Sequence, residues 1–312
     1  MIASPPATTD RRALSLAVLT MATWGMAGSF VRLLATRLPQ TAPLTAFAVL
    51  GGRLLVALAA LTLVLALAQT RALRTEILPA LRRRETWMFA ALQFAYYLFA
   101  VVAFTFAPIA EIALCAATPP LWVLLLRKLR GGTVSRSEAT GAAFAVAGAL
   151  LIVAPNLLKS HAAADAFPLR ALGDGLSLLS ALASALYALL QRRAVRENVA
   201  VDARAVSLGT FALGAPLALL LRPVPPSVLF NGAPLALFAT FAVVTTVVPT
   251  LAFAFAARRL PPVTTATVAL LLPVFATAYA AIALHETPPW TLIPGGVLVI
   301  MGLWQILRPT AV

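Results

Sequence analysis

Charged residues inside apolar sequence are the natural starting point, because burying an ion is costly enough to be informative. An arginine at the centre of a bilayer costs about 2.5–3.5 kcal/mol on insertion scales. Arg53 stands ten residues into a long apolar run, at about 1.5 Å per helical residue roughly 15 Å deep, and no acid is expected at that depth. Two readings stand: an anchor for a ligand carboxylate, or an arginine bonded to carbonyls freed near a proline kink, fixing helix packing. Arg32 and Glu111 each fall about one turn from the outer end of their own run. They can clasp the two charged ends of a zwitterion, Glu111 can titrate, or the two can form a static salt bridge. A neighbouring arginine lowers a glutamate pKa and desolvation raises it, so the residues alone do not choose.

Polar and aromatic side chains in the middle of other apolar runs come next. Gln93 and Tyr96 are three apart and share a helical face. Trp24, Thr118, Trp122, Ser184, Tyr187, Thr246, Thr250 and Tyr279 lie within about two turns of the centres of their runs. Pro119, Pro120, Pro249 and Pro273 can break those helices and free backbone groups near them. Taken singly, an aromatic here packs in a core or meets lipid, and a threonine bonds its own i−4 carbonyl. Taken together, the set predicts a cavity lining for a small-molecule substrate. Asp174, after Gly173, suits a helix N-cap, and Glu138 a cap or dipole partner at the start of another helix.

The elements that must position these residues follow from composition. The chain of 312 residues is 61% hydrophobic and 11% charged, with a mean hydropathy of +0.94. A soluble domain needs more polar surface than that. Several apolar runs reach the ~20 residues that span a bilayer, and they are continuous rather than alternating, which excludes a β-barrel. The expectation is an all-α polytopic membrane protein with ten spans, at 14–36, 43–68, 86–107, 109–127, 138–155, 172–192, 203–221, 233–257, 262–284 and 290–307. Arg11 and Arg12 before Ala13–Gly28 resemble a signal peptide, but the apolar run continues to Thr36, which favours a retained first span.

A repeat organises these spans. Shifting Pro108–Gly148 by 154 residues places Pro108 on Pro262, Pro119 on Pro273, Thr133 on Thr287, Gly141 on Gly295 and Gly148 on Gly302. The same shift carries Gln93 and Tyr96 to Val247 and Thr250. The break in the first copy holds Arg127, Lys128, Arg130 and Arg136, whereas HETPPW in the second holds no basic residue. Basic loops stay in the cytoplasm, so the copies take opposite orientations, as two inverted five-helix repeats. With both termini cytoplasmic, 18 basic residues fall inside and 4 outside, and Arg32 and Arg53 lie within spans. The expected organisation is a cytoplasmic tail 1–12, a first repeat 13–155, a periplasmic linker 156–171, a second repeat 172–308 and a tail 309–312, in the inner (plasma) membrane.

Four stretches carry a resemblance: WGMAGSFVR in span 1, GGRLLVALAAL in span 2, LGDGLSLLSALASALYALLQRR in span 6 and LHETPPWTLIPGGVLVIMG at the last hairpin. Together they resemble the EamA-type transporters of the drug/metabolite transporter superfamily from Ala13 to Leu307. Trp24 eight residues before Arg32, and Glu111 nine before Pro120, are similar to the aromatic amino-acid exporter (YddG-like) branch. The chain departs from that branch in Thr118-Pro119 before Pro120 and in Ala117. The resemblance implies ten spans in two inverted halves, a cavity lined by spans 1, 3, 4, 6, 8 and 9, and export of small metabolites. It also implies Arg at position 53 whatever the substrate, which favours the packing reading there.

Other function classes find little support. The net charge of +14 is spent on topology, and no soluble basic domain exists to hold nucleic acid. Cys115 is the single cysteine, and GxxxxGK, HExxH and HxxEH are absent, so no cofactor, metal or enzymatic role is expected. His161 and Asp165 miss the spacing of an HxxxxD pair by one residue. Expected partners are a small-molecule substrate and membrane lipid. The glycine faces of spans 5 and 10 predict a contact within one chain, with a dimer seam as the alternative. Transport of amino acids heads the functional expectations. Drugs, nucleotide sugars or lipid-linked groups, and an intramembrane enzyme or scaffold, are the rivals.

Overall fold

The computed structural model describes residues 10–27, 29–30, 46–103, 106, 115, 118–161, 169–220, 236, 239–284 and 290–307. Among them every regular element is helical. Helix α1 covers Arg11–Gly25, α2 Ala46–Ala68, α3 Arg84–Ala103, α4 Pro119–Leu129, α5 Arg136–His161 and α6 Arg170–Arg196. Helix α7 covers Ala203–Leu220, α8 Val248–Arg259, α9 Pro262–Val268, α10 Leu272–Leu284 and α11 Leu292–Leu307. Five described helical stretches are long and apolar enough to cross a membrane: Leu50–Ala68, Arg84–Ala103, Ala171–Arg196, Ala239–Arg259 and Pro262–Ala283. Large apolar side chains at Ile293, Val297 and Ile300 point outward along one face of α11, as do Leu63, Val64 and Leu67 on α2. Water would not tolerate such faces and lipid does, so the chain is a multi-pass membrane protein.

Local sequence sets the helix ends. Asp10 caps α1 through a 3.1 Å bond from the Ala13 amide. Ser135 and Glu138 form a capping box at α5: the Glu138 amide donates to Ser135 Oγ at 3.1 Å, and the Ser135 amide to Glu138 Oε2 at 3.0 Å. Glu138 also pairs with Arg127 across the α4–α5 turn. Asp174 does not cap α6. The helix already starts at Arg170, which leaves Asp174 in its second turn. Helix α5 runs to His161, six residues past its expected end, because no glycine follows until Gly173 to stop it. Helix α6 gains a turn at its far end, held by the Arg193–Glu197 pair at 2.7 Å.

The four prolines expected to break helices all sit at breaks. Pro119 and Pro120 begin α4, and Pro273 is the second residue of α10 after a 3-10 turn at Ala269–Leu271. Pro119 and Pro273, 154 residues apart, thus both fall in the first turn of a helix. Pro249 is the second residue of α8, after a π-turn at Val243–Val247 closed by the Val248 amide on the Val243 carbonyl. Pro79 follows a similar π-turn at Leu73–Ile77. The wider turn gives the proline ring room against the preceding carbonyls.

Helices from the two parts of the chain pack antiparallel in pairs. For α1 and α8, Asp10 meets Arg259 at 3.5 Å, while Thr20 Oγ1 lies 3.4 Å from the Pro249 carbonyl. Phe89 touches Tyr187 and Ala103 packs beside Leu176, which fixes α3 against α6. Arg204 bonds Gln69 at 2.8 Å and Gly214 lies against Leu54, which fixes α2 against α7. Helices α5 and α11 meet with Gly141 on Gly302 and Gly148 on Gly295. The expected glycine faces therefore serve a contact within the chain.

The basic segments collect at one end of the bundle. Arg204 bridges Asp202 at 2.7 Å and Glu76 at 2.6 Å. Arg83 donates to the Ala200 carbonyl, Arg258 to that of Val201, and Arg192 to those of Arg258 and Arg259. Burial alone would raise the Asp202 carboxyl, but the bonds from Arg204 outweigh it and hold the group below the usual carboxylate range.

Candidate functional site

Where α1, α2, α3, α6 and α8 converge, the sequence supplies rings. Trp24 lies 5.5 Å from Tyr96, 6.3 Å from Tyr97 and 5.4 Å from Phe253, centroid to centroid. Phe253 continues to Tyr187 at 5.6 Å, and Tyr187 to Phe89 at 5.6 Å. Arg53 also stands against Tyr97. Its guanidinium carbon is 5.1 Å from the Tyr97 ring and 5.2 Å from that of Phe241, which stacks on Phe30 at 5.5 Å. Both parts of the chain thus contribute to one continuous aromatic wall.

Several polar atoms on this wall are unspent. Arg53 is 8% exposed, and its Nε has no hydrogen-bond partner. Trp24 Nε1 is likewise buried without an acceptor. Thr246 is fully buried with its hydroxyl unpaired, whereas Thr245 donates to the Phe241 carbonyl at 2.7 Å. The Tyr97 hydroxyl and Thr250 Oγ1 are 2.7 Å apart. Gln191, also fully buried, bonds the Tyr187 hydroxyl through Nε2 at 3.2 Å and leaves Oε1 unpaired.

Magnitudes show why Arg53 stands out. Withdrawing an ion from water costs several kcal/mol. A ring beneath a cation returns about 0.5–2 kcal/mol. Two rings narrow the deficit without closing it, and no acidic side chain pairs with Arg53 among the described residues. Among the described residues, aromatic faces flank the guanidinium.

Trp24, Tyr96, Tyr187 and Thr250 join this wall through ring or hydroxyl contacts. Gln93, 3% exposed, is one turn before Tyr97, and Thr246 one turn before Thr250. Ser184, half-buried, is three residues before Tyr187 on α6. The remaining candidates lie elsewhere. Trp122 packs in a separate apolar cluster with Val123, Ala185, Val263 and Ala266. Thr118 spends its hydroxyl on the Cys115 carbonyl at 2.7 Å, at the break before α4. Tyr279 stacks on Phe275, 6.4 Å away. Arg32 and Glu111 lie outside the described residues, as does Asp165. Sequence reasoning passed over Tyr97, Phe241 and Phe253. Only Tyr97 left a signal, as half of an adjacent pair among the chain's 4 tyrosines.

The fold is similar to that of a protein solved by crystallography, with a TM-score of 0.72 and 19% sequence identity over 94% of this chain and 96% of that one. At that identity the likeness is one of fold. No curated protein matches the chain by sequence. The EamA-like transporter family matches residues 171–308, the stretch from α6 to α11 that supplies Tyr187, Phe241, Thr246, Thr250 and Phe253 to the wall. Residues 171–308 are thus similar to the EamA-like transporter family, which supports a place in the drug/metabolite transporter superfamily, and the protein is a multi-pass membrane protein.

Proposed function

We propose that the protein is a secondary transporter that exports small, partly apolar metabolites, amino acids first among them, across the inner membrane. Its substrate site is the aromatic wall around Trp24, Tyr96, Tyr97, Tyr187 and Phe253. The observation that carries this reading is a set of buried, unspent polar atoms on a ring-lined junction between helices of both parts of the chain. A static core satisfies such groups, whereas a binding site keeps them for its ligand.

The mechanism is alternating access, with two inverted five-helix halves rocking about the junction. Support comes from the antiparallel pairing of α1 with α8, α3 with α6, α2 with α7 and α5 with α11. The glycine contact has the form a two-fold relation demands. Gly141 and its counterpart Gly295 touch Gly302 and its counterpart Gly148 respectively. Gathering of the basic segments at one end fits cytoplasmic termini and a cytoplasmic face there.

The test is uptake and efflux of labelled amino acids, aromatic ones included, in vesicles reconstituted with the purified protein. Saturable, protein-dependent flux is expected, and no flux with any amino acid removes this substrate class. Topology has its own test. Cysteines introduced at Thr133 and Thr287, in a background with Cys115 replaced by alanine, should label from opposite sides of the membrane. Labelling from one side ends the inverted-repeat reading.

A further inference from the structure

Two residues in contact with the Tyr97 ring carry unspent donors, Arg53 Nε and Trp24 Nε1. Both are N–H groups that can only donate. The ligand that satisfies them must bring acceptors, and a cation with no acidic partner among the described residues suits an anion. An ionised carboxylate is acceptor-only, planar and matched to the guanidinium fork. Around the donors stand the faces of Tyr96, Tyr97, Phe241 and Phe253, which suit an aromatic or branched apolar body.

The wall is poor in groups for a second, positive end of the ligand. No described Asp or Glu lies on it. Glu85 is 12 residues before Tyr97, about 18 Å along α3, and Asp174 is 13 residues before Tyr187. An ammonium group here meets neutral partners, such as the Thr246 hydroxyl, the unpaired Gln191 Oε1 beside Tyr187 and the ring faces.

We propose that Arg53 receives the carboxylate of the transported solute. The site therefore takes small aromatic or branched monocarboxylates whether or not they carry an amino group, and discriminates against the matching amides and amines. This rests on the transport reading above, and narrows it to a chemical class defined by the acid rather than by the amino acid.

The test is calorimetric titration of the purified, detergent-solubilised protein with 3-phenylpropionate, L-phenylalanine, phenylalaninamide and phenethylamine. The two acids should bind with affinities within about threefold of each other, and the amide and amine at least about tenfold more weakly, the scale set by one charge-assisted bond. Arg53→Gln should bring acid and amide together, and Arg53→Lys, which keeps the charge but not the fork, should retain part of the difference. Equal binding of acid and amide by the unaltered protein overturns the proposal, as does an unchanged ratio in Arg53→Gln or no binding of either acid. Should Arg53→Gln fail to fold, the four-ligand comparison on the unaltered protein decides alone. Flux separates the two readings. Acids that bind but are not carried in vesicles leave the carboxylate site standing and sink the transport reading. Flux of other solutes without acid binding does the reverse.

Discussion

At the seam between α5 and α11 backbones touch, whereas around Trp24 and Arg53 the helices meet through rings. A Cβ built on Gly148 would come within 2.5 Å of the Gly295 carbonyl oxygen and 2.8 Å of the Val299 amide. Nothing is left over at that contact: small residues, close dispersion contacts and helical backbones already satisfied within themselves. The ring junction is the opposite. Its side chains are large, its helices carry a π-turn and a proline, and its buried polar atoms are partly unpaired. The seam suits a rigid frame, and the junction suits a place where contacts change as a ligand comes and goes.

Four experiments can break or sharpen that contrast. The largest effect is expected from Gly148→Leu, because the new side chain meets backbone that cannot move aside. Stability should fall by about 3 kcal/mol or more, seen as a large drop in Tm in detergent. A small drop would mean the seam is not a tight frame. Trp24→Ala comes next. Trp24 is only partly buried, so the stability loss should be about 2 kcal/mol, below that of a fully buried tryptophan. Flux in vesicles should nevertheless fall at least about tenfold. Preserved flux would take the wall out of the transport path.

Tyr97→Phe should cost about 1 kcal/mol, since it deletes one buried hydrogen bond and leaves Thr250 unpaired. Its Tm change should disappear in the Thr250→Val background, and additivity of the two would show that the bond does not form. The smallest effect lies far from both regions, at the basic end. The folded-state pKa of Asp202 is depressed, so its contribution is complete above the unfolded carboxylate value near 3.9 and is lost as pH falls through the lower folded value. Tm should show a shallow extra decline below about pH 4 that Asp202→Asn lacks. An identical decline in the variant would remove the Asp202–Arg204 bond from the account.

Much of the frame could be read in advance because its signals are one-dimensional. The glycines at 141, 148, 295 and 302 announced a close contact by spacing alone, and α5 and α11 meet on those residues. Pro119, Pro120, Pro249 and Pro273 announced breaks because a missing N–H acts wherever the helix goes. The aromatic wall was legible where polarity betrayed it. Trp24, Gln93, Tyr96, Tyr187, Thr246 and Thr250 are conspicuous in apolar runs, and the structure gathers them on or beside one wall. Trp122 and Tyr279 were equally conspicuous and pack elsewhere. Phe241 and Phe253 gave no sign, since a phenylalanine facing lipid, core or cavity reads the same.

Apolar length, proline and glycine positions and the placement of arginines were thus set by the chain itself, since each acts through local backbone chemistry or through the membrane as solvent. Which rings meet, and what stands beside Arg53, was decided only by tertiary packing. A buried cation has no meaning until its neighbours are known. The neighbours of Arg53 come from Tyr97, 44 residues on, and from Phe241, 188 residues on. No local rule connects positions so far apart; only the crossing of α2 with α3 and with the helical turn before the π-turn at Val243–Val247 does.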